Sequence, residues 1–316
     1  MIYIFSSPRS GSTWLGKIFD SHPDVLYLHE PEIADRGLDL LPFWFEAEPT
    51  RAQIDAARTY LARLVRGRTP RTTGTRPFFR KHYRGGGAEV SRRALVYLAK
   101  GSERVGFLRY TNKIRIPDLS GHKKPLTTVI KSVSALGRAE ALIGAADGAI
   151  KPILLIRHPC GYISSMMRGD KMGVMTPAPP LGRLLYTRSA RRLGADDAKL
   201  AYADDIDKLA WTWLLTNAEA YPVIQTAGGF TIVYEDLASD ALEGSKRLFN
   251  QMGLSWAPET EAFLRKSAES EGGYYSVFRN PAKAVNRWRT ELGDGTIARV
   301  RAIVARDPVG QIFFPV

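Results

Sequence analysis

Short apolar runs closed by small or polar residues alternate along this chain with longer stretches of helical periodicity. Ile2 to Phe5, Asp24 to Tyr27, Leu126 to Ile130, Pro152 to Ile156 and residues 229–234 are runs of the first kind. Runs of that length bounded by turn residues read as strands. Helices are predicted over 13–20, 50–66, 135–147, 205–219, 240–252, 258–268 and 294–305, with Trp211 and Trp213 as core aromatics of the fourth. Strands that alternate with helices build a parallel sheet covered on both faces. The predicted class is α/β: one domain over 1–316 with a central parallel sheet flanked by helices.

Two segments break the pattern. Residues 67–87 are basic and glycine-rich, with Phe78, Phe79 and Tyr83 among them. Residues 173–194 open with Gly-Val-Met-Thr-Pro-Ala-Pro-Pro. Both have loop chemistry. Arg68, Arg71, Arg76, Arg80, Lys81 and Arg84 make poor core, so the first segment is expected to be a mobile lid over the site.

Ligands of open parallel sheets sit at the carboxyl ends of the strands. Arg9, Glu30, Lys131, Arg157 and Tyr234 each stand at or just past a predicted strand end. The groups suited to hold an anion therefore fall on one edge of one sheet.

The most informative of these places follows the first strand. Residues 6–13 read Ser-Ser-Pro-Arg-Ser-Gly-Ser-Thr and lead into a helix at Ser12 or Thr13. Small residues let backbone N–H groups crowd round an anion, and the helix N-terminus adds partial positive charge. Arg9 adds a full charge on a forked donor. The loop is built to hold phosphate or sulfate. It is not a Walker A loop, because Gly11 is followed by Ser12 and Thr13 with no lysine.

Pro8-Arg-Ser-Gly-Ser-Thr-Trp14 resembles the 5′-phosphosulfate loop of sulfotransferases that use 3′-phosphoadenosine 5′-phosphosulfate (PAPS). A second match supports it. The strand Pro152–Ile156 runs into Arg157-His158-Pro159, with Ser165 eight residues after the arginine. That is the family's 3′-phosphate motif, in which one guanidinium fork and one hydroxyl converge on a phosphate. The style is that of carbohydrate and tyrosylprotein enzymes and of bacterial soluble sulfotransferases. The resemblance implies a P-loop-NTPase-like sulfotransferase fold, with PAPS as donor and PAP as product. It places Arg9, Ser10, Gly11, Ser12, Thr13, Arg157 and Ser165 around the nucleotide.

Weaker matches extend over the rest of the chain. In Thr231-Ile-Val-Tyr234-Glu235-Asp236-Leu237 the tyrosine is expected to face the nucleotide and the acids to cap a turn. Ser276-Val-Phe-Arg279-Asn-Pro281 and Asn286-Arg287-Trp288-Arg289 resemble the segment that closes over the cofactor, bringing Ser276, Arg279, Arg287 and Arg289 as candidate contacts. Trp14 is either an adenine platform or a core residue of the first helix. His22-Pro23…His29-Glu30-Pro31 resembles a stretch in which a glutamate eight residues after the first histidine acts as general base. Glu30 holds that place, with His29 as its rival and Lys131 as a second catalytic cation.

Composition fits. The chain carries 45 Lys+Arg against 32 Asp+Glu, a formal charge of +13, and a basic surface concentrates anions such as PAPS. No nucleic-acid motif accompanies the charge. The single cysteine, Cys160, reads as a small turn residue and fits a reducing, cytoplasmic setting. No apolar run in the sequence is long enough to span a bilayer, so the expectation is a soluble enzyme, or one trimmed of a membrane-anchored stem, with room for peripheral membrane contact. No ligand-spaced Asp, His and Cys cluster calls for a metal. The expected partner is a small-molecule, glycan or glycolipid hydroxyl acceptor, and the oligomeric state is open. Two alternatives stand beside this reading. One is a P-loop kinase, which lacks its lysine here. The other is a non-catalytic polyanion-binding protein on the same fold, which intact Arg9, Arg157, Ser165 and Glu30 argue against.

Overall fold

The computed structural model describes residues 1–34, 40–66, 68–104, 116, 126–175, 181–269 and 285–315. Five strands form one sheet: β1 (Ile2–Ser6), β2 (Val25–His29), β3 (Thr127–Ser132), β4 (Lys151–Ile156) and β5 (Phe230–Val233). Their spatial order is β2-β3-β1-β4-β5, and every neighbouring pair is parallel. The α/β class and the parallel sheet are those expected. β1 lies in the middle because its five residues are all buried, as suits a strand covered on both faces.

The period-2 alternation of the strands divides the core. Tyr3, Phe5, Ile130, Leu154 and Ile156 face helices Arg51–Arg66, Ala139–Ala145 and Asp205–Thr226. Ile2, Ile4, Val129, Ile153 and Leu155 face helices Ser12–Ser21, Ala241–Met252 and Pro258–Glu269. Trp211 and Trp213 are buried in the first of these layers. From β1 the chain crosses to β2, returns to β3 and then passes to β4 on the other side. The switch in direction thus flanks β1, where the crevice of such a sheet opens.

Several boundaries differ from the sequence reading. The helix predicted to stop at 219 continues to Thr226 through Pro222. Tyr234 begins the helix Tyr234–Ser239 instead of closing β5. The helix Gly86–Arg104 and, within the 173–194 insert, the helix Arg188–Leu193 were not expected.

Part of the basic segment is pinned to the body of the protein, while Arg76 and Arg80 are exposed. Lys81 and Arg84 are each only 5% exposed. Lys81 Nζ pairs with Asp20 Oδ1 at 3.2 Å and donates to His22 O at 3.0 Å. Lys17, fully buried, donates to Asp20 Oδ2 at 2.6 Å and to Pro77 O at 3.0 Å. Its ammonium also faces the rings of Tyr27, Phe78 and Phe79. Two cations thus share one buried carboxylate and fasten the segment to helix Ser12–Ser21. Arg84 closes the arrangement by donating to Glu89 Oε2 at 3.0 Å. Buried charges persist only when paired in this way.

Candidate active site

The loop after β1 is held from inside. Ser6 Oγ donates to Ser132 O at 3.1 Å, and Ser10 Oγ to Ser7 O at 2.7 Å. The Ser10 hydroxyl is thus engaged within the loop. Arg9 adopts φ +64° and Gly11 φ +91°, both left-handed, which turns the chain into helix Ser12–Ser21. Gly11 O accepts from Trp14 N at 3.0 Å and Leu15 N at 3.2 Å. The amides of Ser12 and Thr13, in the first turn, have no acceptor within the helix. Glycine is required at 11 for a second reason: a Cβ there would lie 2.3 Å from Cδ2 of Tyr234.

Arg157 follows β4 directly. Its Nη1 donates to Arg9 O at 3.0 Å, and its guanidinium carbon lies 5.2 Å from the centre of the Tyr234 ring. Arg9 Nε in turn donates to Ser165 Oγ at 3.1 Å. The two motifs, 148 residues apart in sequence, therefore meet through a reciprocal pair of hydrogen bonds. Arg157 Nε is buried and makes no hydrogen bond among the described residues. Burial lowers the pKa of this guanidinium, but an arginine stays charged. A buried cation with an unused donor is what an anionic ligand fits.

Glu235 does more than cap a turn. It accepts from His158 N at 3.1–3.2 Å and stands 3.9 Å from Arg157 Nε. His158 caps helix Pro159–Lys171 by accepting from Cys160 N. Its ring stacks on Trp288 at 4.3 Å and 16°. Gly161 leaves room for the guanidinium: a Cβ there would stand 3.1 Å from Arg157 Nε. Cys160 is buried and its thiol is pushed up to about 12 by desolvation, so it remains an inert packing residue.

The other expected nucleotide contacts divide. Trp14 is 7% exposed, packs in the core with its edge to Tyr234 at 6.1 Å, and is therefore no open platform. Arg287 is exposed at the start of the short helix Trp288–Glu291. It joins none of the contacts around Arg157 among the described residues, while Arg289 covers the outer face of Trp288 at 4.6 Å. Ser276 and Arg279 lie outside the described residues.

The third group surrounds Glu30, one residue past β2. Its backbone has φ +44° and its N–H donates to Lys131 O at 2.8 Å. Lys131 Nζ donates to Glu30 Oε1 at 2.5 Å, with His29 Nε2 at 3.7 Å from the same oxygen. Arg71 Nη2 is 3.9 Å from Oε2. Burial lowers the pKa of Lys131, and its pairing with Glu30 opposes that. His29 is held well below 6.5, first by desolvation and then by Lys131, Lys17 and Arg71. It accepts a proton poorly in these surroundings. Sequence reasoning missed Glu32, two residues on, to which Ser132 Oγ donates. Its spacing from Glu30 was the available signal.

The order of the strands arranges these groups along one edge. Glu30 comes at the end of β2, then Lys131 on β3, Arg9 after β1, Arg157 after β4 and Tyr234 after β5. With strands about 4.8 Å apart, the carboxylate and the Arg157 pocket lie on opposite sides of the β1 loop. A separate cavity of about 700 Å³, lined in part by Glu140, Arg188, Glu219 and Pro222, takes in none of these groups.

The sulfotransferase family model matches residues 2–258. The chain belongs to that family. Carbohydrate sulfotransferase 2 of Mus musculus and of Homo sapiens are each 27% identical to it over 331 residues, covering 92% of this chain and 61% of theirs. The chain thus spans about three-fifths of the length of these curated relatives. Among solved structures it is similar to the sulfotransferase domain of the Synechococcus PCC 7002 olefin synthase, at 18% identity and TM-score 0.43. That match covers 96% of this chain and 93% of the domain. It is also similar to the sulfotransferase domain of the curacin biosynthetic pathway, at 15% identity and TM-score 0.45, covering 96% and 97%. Among the described residues no helix is long and apolar enough to cross a membrane.

Proposed function

We propose that this sulfotransferase-family chain moves a sulfuryl group from PAPS to a hydroxyl of a carbohydrate, glycolipid or other small alcohol. The observation that carries the reading is the reciprocal link in which Arg157 donates to Arg9 O and Arg9 to Ser165 Oγ. It joins a loop suited to a phosphosulfate to a residue pair suited to a second phosphate. The chain's similarity to carbohydrate sulfotransferase 2 supports a carbohydrate acceptor.

In this reading Arg157 and Ser165 take the 3′-phosphate. Arg9 and the amides of Gly11, Ser12 and Thr13 take the phosphosulfate, with Tyr234 packed behind the loop. Glu30 removes the acceptor proton as the acceptor oxygen bonds to sulfur. The bond from sulfur to the phosphate oxygen breaks, PAP leaves with the electron pair, and the proton passes from Glu30 to solvent. Transfer of this kind rests on positioning and charge stabilisation. The cations here are Arg9, Arg157 and Lys131, and no bound metal is required. Glu30 has φ +44°, and its carboxylate meets Lys131 at the end of β3. That strained backbone is in keeping with a functional position.

The test has three parts. PAP without Mg²⁺ should raise the melting temperature and AMP should do so far less. Labelled PAPS offered with sugar, glycolipid and simple alcohol acceptors should identify a labelled product. In Glu30→Gln, turnover should fall by about 10²-fold or more with PAP affinity nearly unchanged. Equal stabilisation by PAP and AMP overturns the donor assignment. Retained turnover in Glu30→Gln overturns the base.

A further inference from the structure

Glu32 stands in the short helix Pro31–Ala34, and the mechanism above does not use it. Lys131 and Ser132 end β3, and being consecutive they point to opposite faces of the sheet. Each meets an acid from the same turn: Lys131 donates to Glu30 and Ser132 Oγ donates to Glu32 Oε1. Ser132 Oγ also accepts from Ser134 N at 3.0 Å, so this hydroxyl is fixed from both sides. Glu32 Oε2 is buried and makes no hydrogen bond among the described residues, and the same is true of the Tyr3 hydroxyl from β1.

A carboxylate with one bare buried oxygen is poorly solvated, which favours its protonated form. Burial raises Glu32 to about 7 against the opposing hydrogen bonds of Ser132 and of its own backbone amide, with the charge of Glu30 adding to the rise and Lys131 opposing it. The groups that face it are Ser132 and Lys131 from β3, Glu30 from its own turn, Tyr3 from β1, Tyr27 from β2 and Tyr60 from helix Arg51–Arg66. Arg138 acts on the same Tyr3 and Tyr60 hydroxyls.

We propose that Glu32 is a positioning residue for Glu30, which by gaining or losing a proton sets how strongly Lys131 is drawn onto the Glu30 carboxylate. This rests on the reading of Glu30 as the base. With Glu32 neutral, Glu30 alone balances the buried ammonium of Lys131. With Glu32 ionised, a second negative charge shares Lys131 and repels the charge on Glu30. Glu30 then takes the acceptor proton more readily. Turnover therefore rises as Glu32 loses its proton, while the nucleotide pocket beyond the β1 loop is unaffected.

The experiment measures kcat with saturating PAPS and acceptor from about pH 5.5 to 9, beside PAP affinity and melting temperature, in wild type, Glu32→Gln and Glu32→Asp. Glutamine keeps an oxygen to accept from Ser132 but cannot titrate. Wild-type kcat should climb by roughly tenfold, with an inflection near 7. Glu32→Gln should lose the inflection and stay near the low-pH wild-type rate, with PAP affinity within about twofold of wild type. Glu32→Asp should regain a displaced inflection, which a merely structural role would not produce. A wild-type profile flat between about pH 6 and 8 overturns the proposal with no variant needed. So does an inflection that survives in Glu32→Gln. Active Glu30→Gln would instead overturn the base, and a dead Glu30→Gln beside an unchanged Glu32→Gln profile would overturn only the role of Glu32.

Discussion

The ring of Tyr234 occupies the space a side chain at residue 11 would need. Any Cβ at Gly11 would come within 2.3 Å of Cδ2 and 2.4 Å of Cε2, closer than carbon atoms approach without displacement. The end of β5 thus braces the loop after β1, and the same ring lies under the Arg157 guanidinium. One aromatic side chain thus meets both the β1 loop and Arg157.

Gly11→Ala should therefore impair the loop through two effects, left-handed strain of about 1 kcal/mol and collision with Tyr234. PAP affinity should fall more than about tenfold, beyond what strain alone explains. In a Tyr234→Ala background the added cost should shrink to the strain, a coupling that a double-mutant cycle by calorimetry measures. Additive effects would mean that the ring yields without cost.

Arg157→Ala should weaken PAP by about 2–3 kcal/mol, the loss of a charge-assisted partner for a phosphate, and leave AMP nearly unchanged. Arg157→Lys should not restore it, because a single ammonium cannot serve Arg9 O and a phosphate as the fork does. Titration calorimetry with both nucleotides decides this.

Lys81→Met should destabilise the fold by about 2–4 kcal/mol, since it removes one of the two cations on buried Asp20. Arg80→Ala, at an exposed neighbour, should change stability by less than about 0.5 kcal/mol. Urea unfolding of the two variants distinguishes a fastening from a solvated basic face.

His158 supplies a pH prediction. Burial, and then Arg289 and Arg157, lower it from 6.5 to about 4. The unfolded chain takes up this proton below about 6.5 and the folded chain only near 4, so stability present above 6.5 is lost as pH falls through that window. The loss approaches about 3 kcal/mol at the acid end. His158→Asn keeps a helix cap and cannot titrate, so its unfolding free energy should decline less between pH 6.5 and 4. Parallel declines in the two proteins would assign the acid sensitivity to other groups, with His22 and His29 next in line.

What was legible in the sequence was local. The runs around β1 and β4 announced their strands because burial on both faces leaves few polar residues. The residues just beyond them announced an anion site because small residues, one arginine and a helix start serve little else. Arg9, Arg157 and Ser165 meet as their spacing implied. Contacts between distant segments were not legible. Nothing near Lys81 in sequence shows that Asp20 lies against it, and a basic, glycine-rich stretch looks the same whether solvated or pinned. Glu235 looked like a turn cap because its partners, Arg157 and His158, are 77 or more residues away. Trp14 followed the loop as a nucleotide platform would, but its helical position turns it toward Tyr234 and the core.

The sheet order also divides the site by rigidity. The loops after β1 and β4, on which Arg9 and Arg157 sit, leave strands clamped by a neighbour on either flank. Glu30 leaves β2, a border strand held on one flank only. On the proposed reading, variation in the residues that follow Glu30 reshapes the wall met by an incoming hydroxyl while the nucleotide cradle keeps its dimensions, and descendants of this scaffold change what they modify without relearning how to hold the donor.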